Sequence, residues 1–272
     1  MENKIVAHTE LGTVARPRFS ETWIRRLTLL ASFILLLAAW YAISLAVGSI
    51  VLPTPVETVE GIANYYSSGN LWPDLAITLS RVLATLALAF AISVLAGIAL
   101  ARSKWVDRLF GAWVAIFSSI PALMILLVVY LGVGLNDNAA VIGTAIVVVP
   151  SMTYGVWQGM DSLQPELSEM AQVFGLSQML IVRKVLLPQT WPFLFANIRQ
   201  GLSLTWKIMV FAEILGLSAG VGFRMQYWFQ LFNMQQVLAS ALPFMVVMMA
   251  LEYLVLRPGE RYLFRWKKAK AQ

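Results

Sequence analysis

Cysteine is absent from the 272-residue chain, and histidine occurs once, as His8 in a polar N-terminal stretch. Disulfides, thiolate metal sites and cysteine nucleophiles are therefore excluded, and one histidine leaves little material for a His-based triad. Charged residues are sparse, at 12% against 59% hydrophobic residues, and the mean hydropathy is +0.74. That balance lies far from soluble domains and indicates a membrane protein. A phosphate-binding loop is missing too: no G-x4-G-K-S/T run occurs, and no glycine is followed directly by lysine. The chain cannot hold a nucleoside triphosphate in that way. Its net charge of +6 does not argue for nucleic acid, because the basic residues sit in short clusters beside apolar runs, as at a membrane surface.

What is present is a series of long apolar runs. A helix needs about 20 such residues to cross roughly 30 Å of hydrocarbon, where only a helix or a closed barrel satisfies its own backbone. Six runs qualify, near 27–47, 76–101, 110–134, 138–157, 192–217 and 237–256. The first follows Arg25 and Arg26 but is too long for the core of a signal peptide, so it reads as an uncleaved anchor. The predicted fold is an all-α integral membrane protein with six transmembrane helices. A cytoplasmic tail is expected over 1–26, a transmembrane domain over 27–257 with a cytoplasmic loop at 158–191, and a basic tail over 258–272.

The orientation follows from the basic residues. Lys4, Arg16, Arg18, Arg25 and Arg26 precede the first run. Arg102, Lys104 and Arg108 follow the second, and Arg183 and Lys184 follow the fourth. Arg257, Arg261, Arg265, Lys267, Lys268 and Lys270 follow the sixth. The alternate loops hold only Arg224, while Arg81, Arg199 and Lys207 fall within runs. Both termini are thus expected in the cytoplasm.

The loop at 158–191 contains SEMAQVFGLSQMLIVRKVLLPQ, the most polar stretch of this half of the chain. Pro165 suits a first helical turn, and Glu166 and Glu169 lie where the positive helix end favours acids. Gly175 can take the left-handed conformation that stops a helix, Ser177 can cap a second one, and Pro188 is expected to end that one before the next crossing. The product is a helix, turn, helix unit along the membrane, whose apolar face of Met170, Val173, Phe174 and Leu176 needs a cover. Its own bundle, the lipid headgroups or a cytoplasmic partner would each serve.

Glu169, Met170, Ala171, Gly175, Val185, Leu187 and Pro188 resemble the EAA motif, E-A-A-x3-G-x9-I-x-L-P, of ABC importer permeases, with matching spacing throughout and two apolar departures, Met170 and Val185. VLPTPVETV, LWPDLAITLSRV, SIPALMILLVVYLGVG and FAEILG resemble the nitrate, sulfonate and taurine branch. The resemblance implies a type I permease fold in a bacterial plasma (inner) membrane. It also implies that this loop, with Phe174, is the coupling helix seated in a separate ATPase subunit. That subunit, in two copies, would bind ATP and Mg, leaving no cofactor and no catalysis in this chain. A second permease copy forming a homodimer, an extracytoplasmic solute-binding protein and membrane lipid would be its other partners, with no nucleic acid. The function implied is ATP-driven import of a small anionic nutrient by alternating access. An ion-gradient-driven secondary transporter or channel is the alternative.

Charges inside membrane helices are costly and so mark candidate sites. Arg199, Ser203, Lys207 and Glu213 fall within an arc of roughly 120° at about 100° per residue, giving the fifth helix one polar face. That face is the expected translocation path, with Lys207 offering a positive charge to an anion. A buried ion pair locking the bundle is the other reading of Lys207 and Glu213. Arg81 is expected to snorkel outward, and Glu252 to sit at the interface beside Arg257. Thr85, Ala89, Ser93, Gly97 and Ala101 make a small-residue stripe, and Gly155 and Gly159 form GxxxG, so close helix packing is expected there. Pro121, Pro150 and Pro243 should kink their helices, and the loop at 218–236 reads as an aromatic belt. Because the chain has no cysteine, Ser177→Cys introduces a single thiol. It is expected to react with a membrane-impermeant maleimide in inside-out vesicles and to resist it in intact cells; the reverse pattern rejects the orientation.

Overall fold

The computed structural model describes residues 18–259, with side chains from residue 23. His8 and the basic residues flanking that range, Arg261 to Lys270 among them, lie outside the described residues. The chain divides into two compact units, residues 1–56 and 57–272. In the first, α1 (Arg18–Val47) begins ahead of the apolar run and exposes nearly all its described side chains. Gly48, at φ 88°, turns the chain. The following segment folds back, with Trp40 Nε1 donating to the Pro53 carbonyl at 3.0 Å and Ser44 Oγ to that of Leu52 at 2.6 Å.

The second unit takes in α2 (Pro55–Ser67), which starts at the boundary, then α3 (Leu71–Arg102), α4 (Lys104–Ser119), α5 (Ala122–Val133) and α6 (Asp137–Asp161). These are followed by α7 (Pro165–Val173), α8 (Gln178–Ile181), α9 (Leu187–Gly216), α10 (Val221–Gln230) and α11 (Met234–Ala250). Among the described residues, four helices are long and apolar enough to cross a membrane singly, and up to six crossings result if each of two bent pairs counts as one. The expected third crossing is one of those pairs: it breaks at Pro121 with a 97° bend between α4 and α5. Pro121 lacks an N–H, and the preceding Ile120 sits in the extended region that a proline imposes on its predecessor. The loop expected at 218–236 is largely α10, set at 49° to the helix before it.

The centre of this unit is α3 packed on α6, with α9 against both. Thr85, Ala89, Ser93 and Gly97 of the small-residue stripe are buried, and Ala101 is half-buried. A Cβ on Gly97 would lie 2.6 Å from that of Val156, so α3 and α6 approach as closely as backbone allows. Gly155 and Gly159 receive Asn197 and Phe193 of α9, at 3.1 and 2.7 Å from the same hypothetical atom. Tyr130 of α5 donates to the Ala212 carbonyl at 2.8 Å, and Trp206 meets Phe244 of α11 edge-on.

Beyond Gly216 the chain turns into α10 around a buried charge cluster. Arg81 does not snorkel: its side chain is 7% exposed and donates to Glu213 and to Asp137 at 2.7 Å each, and to the Ala219 carbonyl. Glu213, fully buried, also accepts from Thr78 Oγ1 and from the Gly222 backbone N–H. Asp74 accepts from Tyr65 and from Arg224, the lone basic residue of the alternate loops, at 2.6 and 2.8 Å. Burial, with the bond to Asp74 behind it, pushes the Tyr65 phenol well above its ordinary pKa and keeps it a donor. Asp74, Thr78 and Arg81 recur at i, i+4 and i+7 on one stripe of α3, so one helix face fastens the whole α9–α10 corner.

Breaking one partner of a buried pair leaves an uncompensated charge, at a cost of about 3–5 kcal/mol. Arg81→Met is therefore expected to lower the thermal unfolding midpoint of the detergent-solubilised protein sharply, and Arg81→Met with Glu213→Gln to recover part of the loss. An unchanged midpoint in the single variant contradicts a structural role for the pair.

Candidate functional site

The predicted elbow forms through backbone geometry. Pro165 opens α7, and the Gln164 N–H is held by Gln189 Oε1 at 3.1 Å. Gly175 ends the helix at φ 75°, its N–H reaching the Gln172 carbonyl at 2.9 Å while that of Leu176 reaches Ala171 at 3.1 Å. Those paired bonds are a Schellman closure, which requires a left-handed residue and so favours glycine. Ala171 is the one buried residue of α7. Met170, Val173 and Phe174 stay exposed, Val173 at 87%, and Glu169 is exposed beside them.

Two expectations fail beyond Gly175. Ser177 occupies the cap position of α8 but makes no side-chain cap bond. Pro188 does not end that helix. A π-helical turn at Val182–Leu186 joins α8 to α9, and the Leu187 N–H reaches back to the Val182 carbonyl. The wide turn stands directly ahead of Pro188, whose ring and missing N–H a regular α turn accommodates poorly. Val185, Leu187 and Pro188 thus lie within an uninterrupted helix from Gln178 to Gly216, not at its edge.

Further along the same helix, Arg199, Ser203 and Lys207 line a cavity of about 520 Å³ with Ser151, Gln200 and Glu252. Arg199 Nη2 and Nε donate to Glu252 Oε1 at 2.9 and 3.1 Å. Glu252 therefore pairs across helices and not with Arg257, which stacks on the Tyr253 ring at 4.0 Å. Lys207 is exposed, 5.7 Å from the centroid of the Trp206 ring. Glu213, grouped with these residues by helical spacing, belongs to the Arg81 cluster and lines no part of the cavity. The reason is tertiary: one stripe of α9 borders open space in its middle and packs on α3 at its outer end.

Three residues of the expected polar face, Arg199, Ser203 and Lys207, thus share one cavity, to which the structure adds Ser151, Gln200 and Glu252. The i, i+4, i+7 spacing of Asp74, Thr78 and Arg81 was a readable signal for the outer cluster. Among the described residues no group of three or more His, Cys, Asp or Glu is placed to hold a metal ion.

Residues 89–257 match the family of binding-protein-dependent transport system inner membrane components. A probable ABC transporter permease protein of Brucella abortus is 26% identical over 239 residues, spanning 88% of this chain and 95% of that protein. The taurine transport system permease protein TauC of Escherichia coli is 26% identical over 252 residues, spanning 89% and 90%. Among solved structures, the MetNI methionine ABC transporter in an inward-facing conformation aligns with a TM-score of 0.58 at 22% identity, over 71% of this chain and 94% of that one. The fold is that of a type I importer permease, and the family match favours the ABC importer reading over an ion-gradient carrier. A multi-pass all-helical protein without a nucleotide-binding loop, whose sequence matches over most of its length, this chain belongs to the binding-protein-dependent transport system inner membrane component family, the non-catalytic permease subunits of ABC importers.

Proposed function

We propose that two copies of this chain form the translocation path of an importer for a small anion of the sulfonate, taurine or nitrate kind. Two copies of a separate ATPase bind ATP and Mg, and an extracytoplasmic solute-binding protein delivers the solute. Both termini face the cytoplasm, and the transmembrane domain covers residues 27–257. The taurine permease among its relatives is the support for the substrate class.

The observation that carries the proposal is the continuity between elbow and cavity. Met170, Val173 and Phe174 project outward at the elbow, and the helix that continues from it carries Arg199, Ser203 and Lys207 along its middle. With Glu169, Ala171, Gly175, Val185, Leu187 and Pro188, the exposed residues form the coupling element, and their apolar face seats in a groove of the ATPase. When ATP draws the two ATPase copies together, both elbows move. The unbroken helix from Gln178 to Gly216 turns that displacement into a tilt at the cavity, giving alternating access. No bond is made or broken in this chain.

Gly175→Asp tests the coupling. Nothing lies within 4 Å of a Cβ at this position, so the variant is strained only in its backbone and is expected to insert normally. Solute-stimulated ATP hydrolysis by the reconstituted complex is expected to fall at least about tenfold, the equivalent of 1.4 kcal/mol in coupling. Wild-type stimulation together with wild-type uptake would falsify the coupling role.

A further inference from the structure

Two helices of the chain close in the same way with different residues. At the elbow the left-handed position belongs to Gly175; at the turn from α10 to α11 it belongs to Phe232, whose φ of 56° is the one positive value of a non-glycine among the described residues. The Phe232 N–H reaches the Phe229 carbonyl and the Asn233 N–H that of Trp228, both at 3.0 Å, so the bonding is again a Schellman closure. Glycine enters that conformation freely, whereas a bulky side chain crowds its own backbone there. Packing does not offset the cost: Phe232 is 80% exposed, beside Phe229 and Leu231 at 55% each. Trp228 adds a second uncompensated cost at this corner, since its indole N–H is buried with no acceptor among the described residues. Strain that nothing in a chain offsets collects where the chain grips another molecule.

We infer that the α10–α11 turn, with Phe232 at its tip, is a docking point for the extracytoplasmic solute-binding protein. The inference rests on the import reading, including the outward direction of this corner. The family of the chain is one of binding-protein-dependent transport, so a protein of this kind has to dock outside. Position and charge both favour that protein over lipid as the occupant. The span that follows, Met234–Gly259, has 26 residues and so a length of roughly 39 Å at 1.5 Å per residue, against roughly 30 Å of hydrocarbon. Arg257 stands near its cytoplasmic end, and about 20 residues back from it lies Val237, which leaves Phe232 beyond the hydrocarbon. No charged residue occurs from Met225 to Leu251, so the tip offers no cation to a headgroup phosphate. It offers two rings, a leucine and the exposed amide of Gln230, the charge-poor and aromatic composition of an interface core. The complementary surface is an uncharged apolar recess that takes one ring. Asn233 begins α11 by accepting from the Gln236 N–H, so the tip is held between two helices and little ordering remains for docking to supply.

The test titrates the permease–ATPase complex in nanodiscs with the solute-binding protein that stimulates its ATP hydrolysis. Phe232→Gly is expected to raise the binding-protein concentration for half-maximal stimulation at least about fivefold, as removal of an anchoring ring does. Its thermal unfolding midpoint is expected to stay at the wild-type value or to rise by a few degrees, because the left-handed strain is gone. A purely structural role moves both readouts the other way, with a lower midpoint and an unchanged concentration. Phe232→Cys gives a cysteine-free chain one thiol for an environment-sensitive dye. The dye emission is expected to shift to the blue when the binding protein is added and to resist quenching by spin-labelled lipid throughout. An unshifted concentration or a lowered midpoint in Phe232→Gly, a dye that the binding protein leaves unchanged, or a dye quenched by the lipid overturns the inference. A wild type that no binding protein stimulates rejects the import reading itself; a stimulated wild type with an unshifted variant rejects the docking point alone.

Discussion

Inside hydrocarbon a backbone must satisfy its own hydrogen bonds, and this constraint explains why one helix runs unbroken from the elbow to the Arg81–Glu213 charge cluster. Gln178 to Gly216 spans roughly 60 Å at 1.5 Å per residue. A proline in its path would ordinarily break the ladder. The π-helical turn at Val182–Leu186 keeps the connection closed by shifting the Leu187 bond to the Val182 carbonyl. The helix thereby stays continuous at a point where the sequence invites a joint, and it carries a further proline, Pro192, within its length.

The long helix is packed at its Gly216 end and joins the exposed elbow at its Gln178 end. At its outer end Glu213 is locked to Arg81, Thr78 and Gly222, and Tyr130 holds the Ala212 carbonyl. At its inner end Met170, Val173 and Phe174 are exposed, and the described residues supply no cover for them. Between the two, glycines on α6 admit Asn197 and Phe193, so α9 can lie close to its neighbour on one side. Its other side borders the cavity.

Four charged residues of the membrane interior divide into two kinds by burial. Arg81 and Glu213 are nearly sealed from solvent, with Glu213 accepting from Arg81, Thr78 and Gly222 while Arg81 Nε has no hydrogen-bond partner among the described residues. Arg199 and Glu252 are a third exposed and line two neighbouring cavities. Residue type alone assigns neither pair, since Arg with Glu occurs in both.

The sequence by itself determined the class of protein, the apolar runs, the distribution of basic residues, the glycine-closed elbow and the common helix face of Arg199, Ser203 and Lys207. All of these rest on local properties: hydropathy, the left-handed tolerance of glycine, and the 3.6-residue period. Only the tertiary structure decided that Arg81 turns inward, that Glu252 chooses Arg199, that Glu213 leaves the polar face for the core, and that Pro188 is bridged and not a terminus. Each of these depends on which helix lies alongside, and helices far apart in the chain meet through packing that no local period encodes.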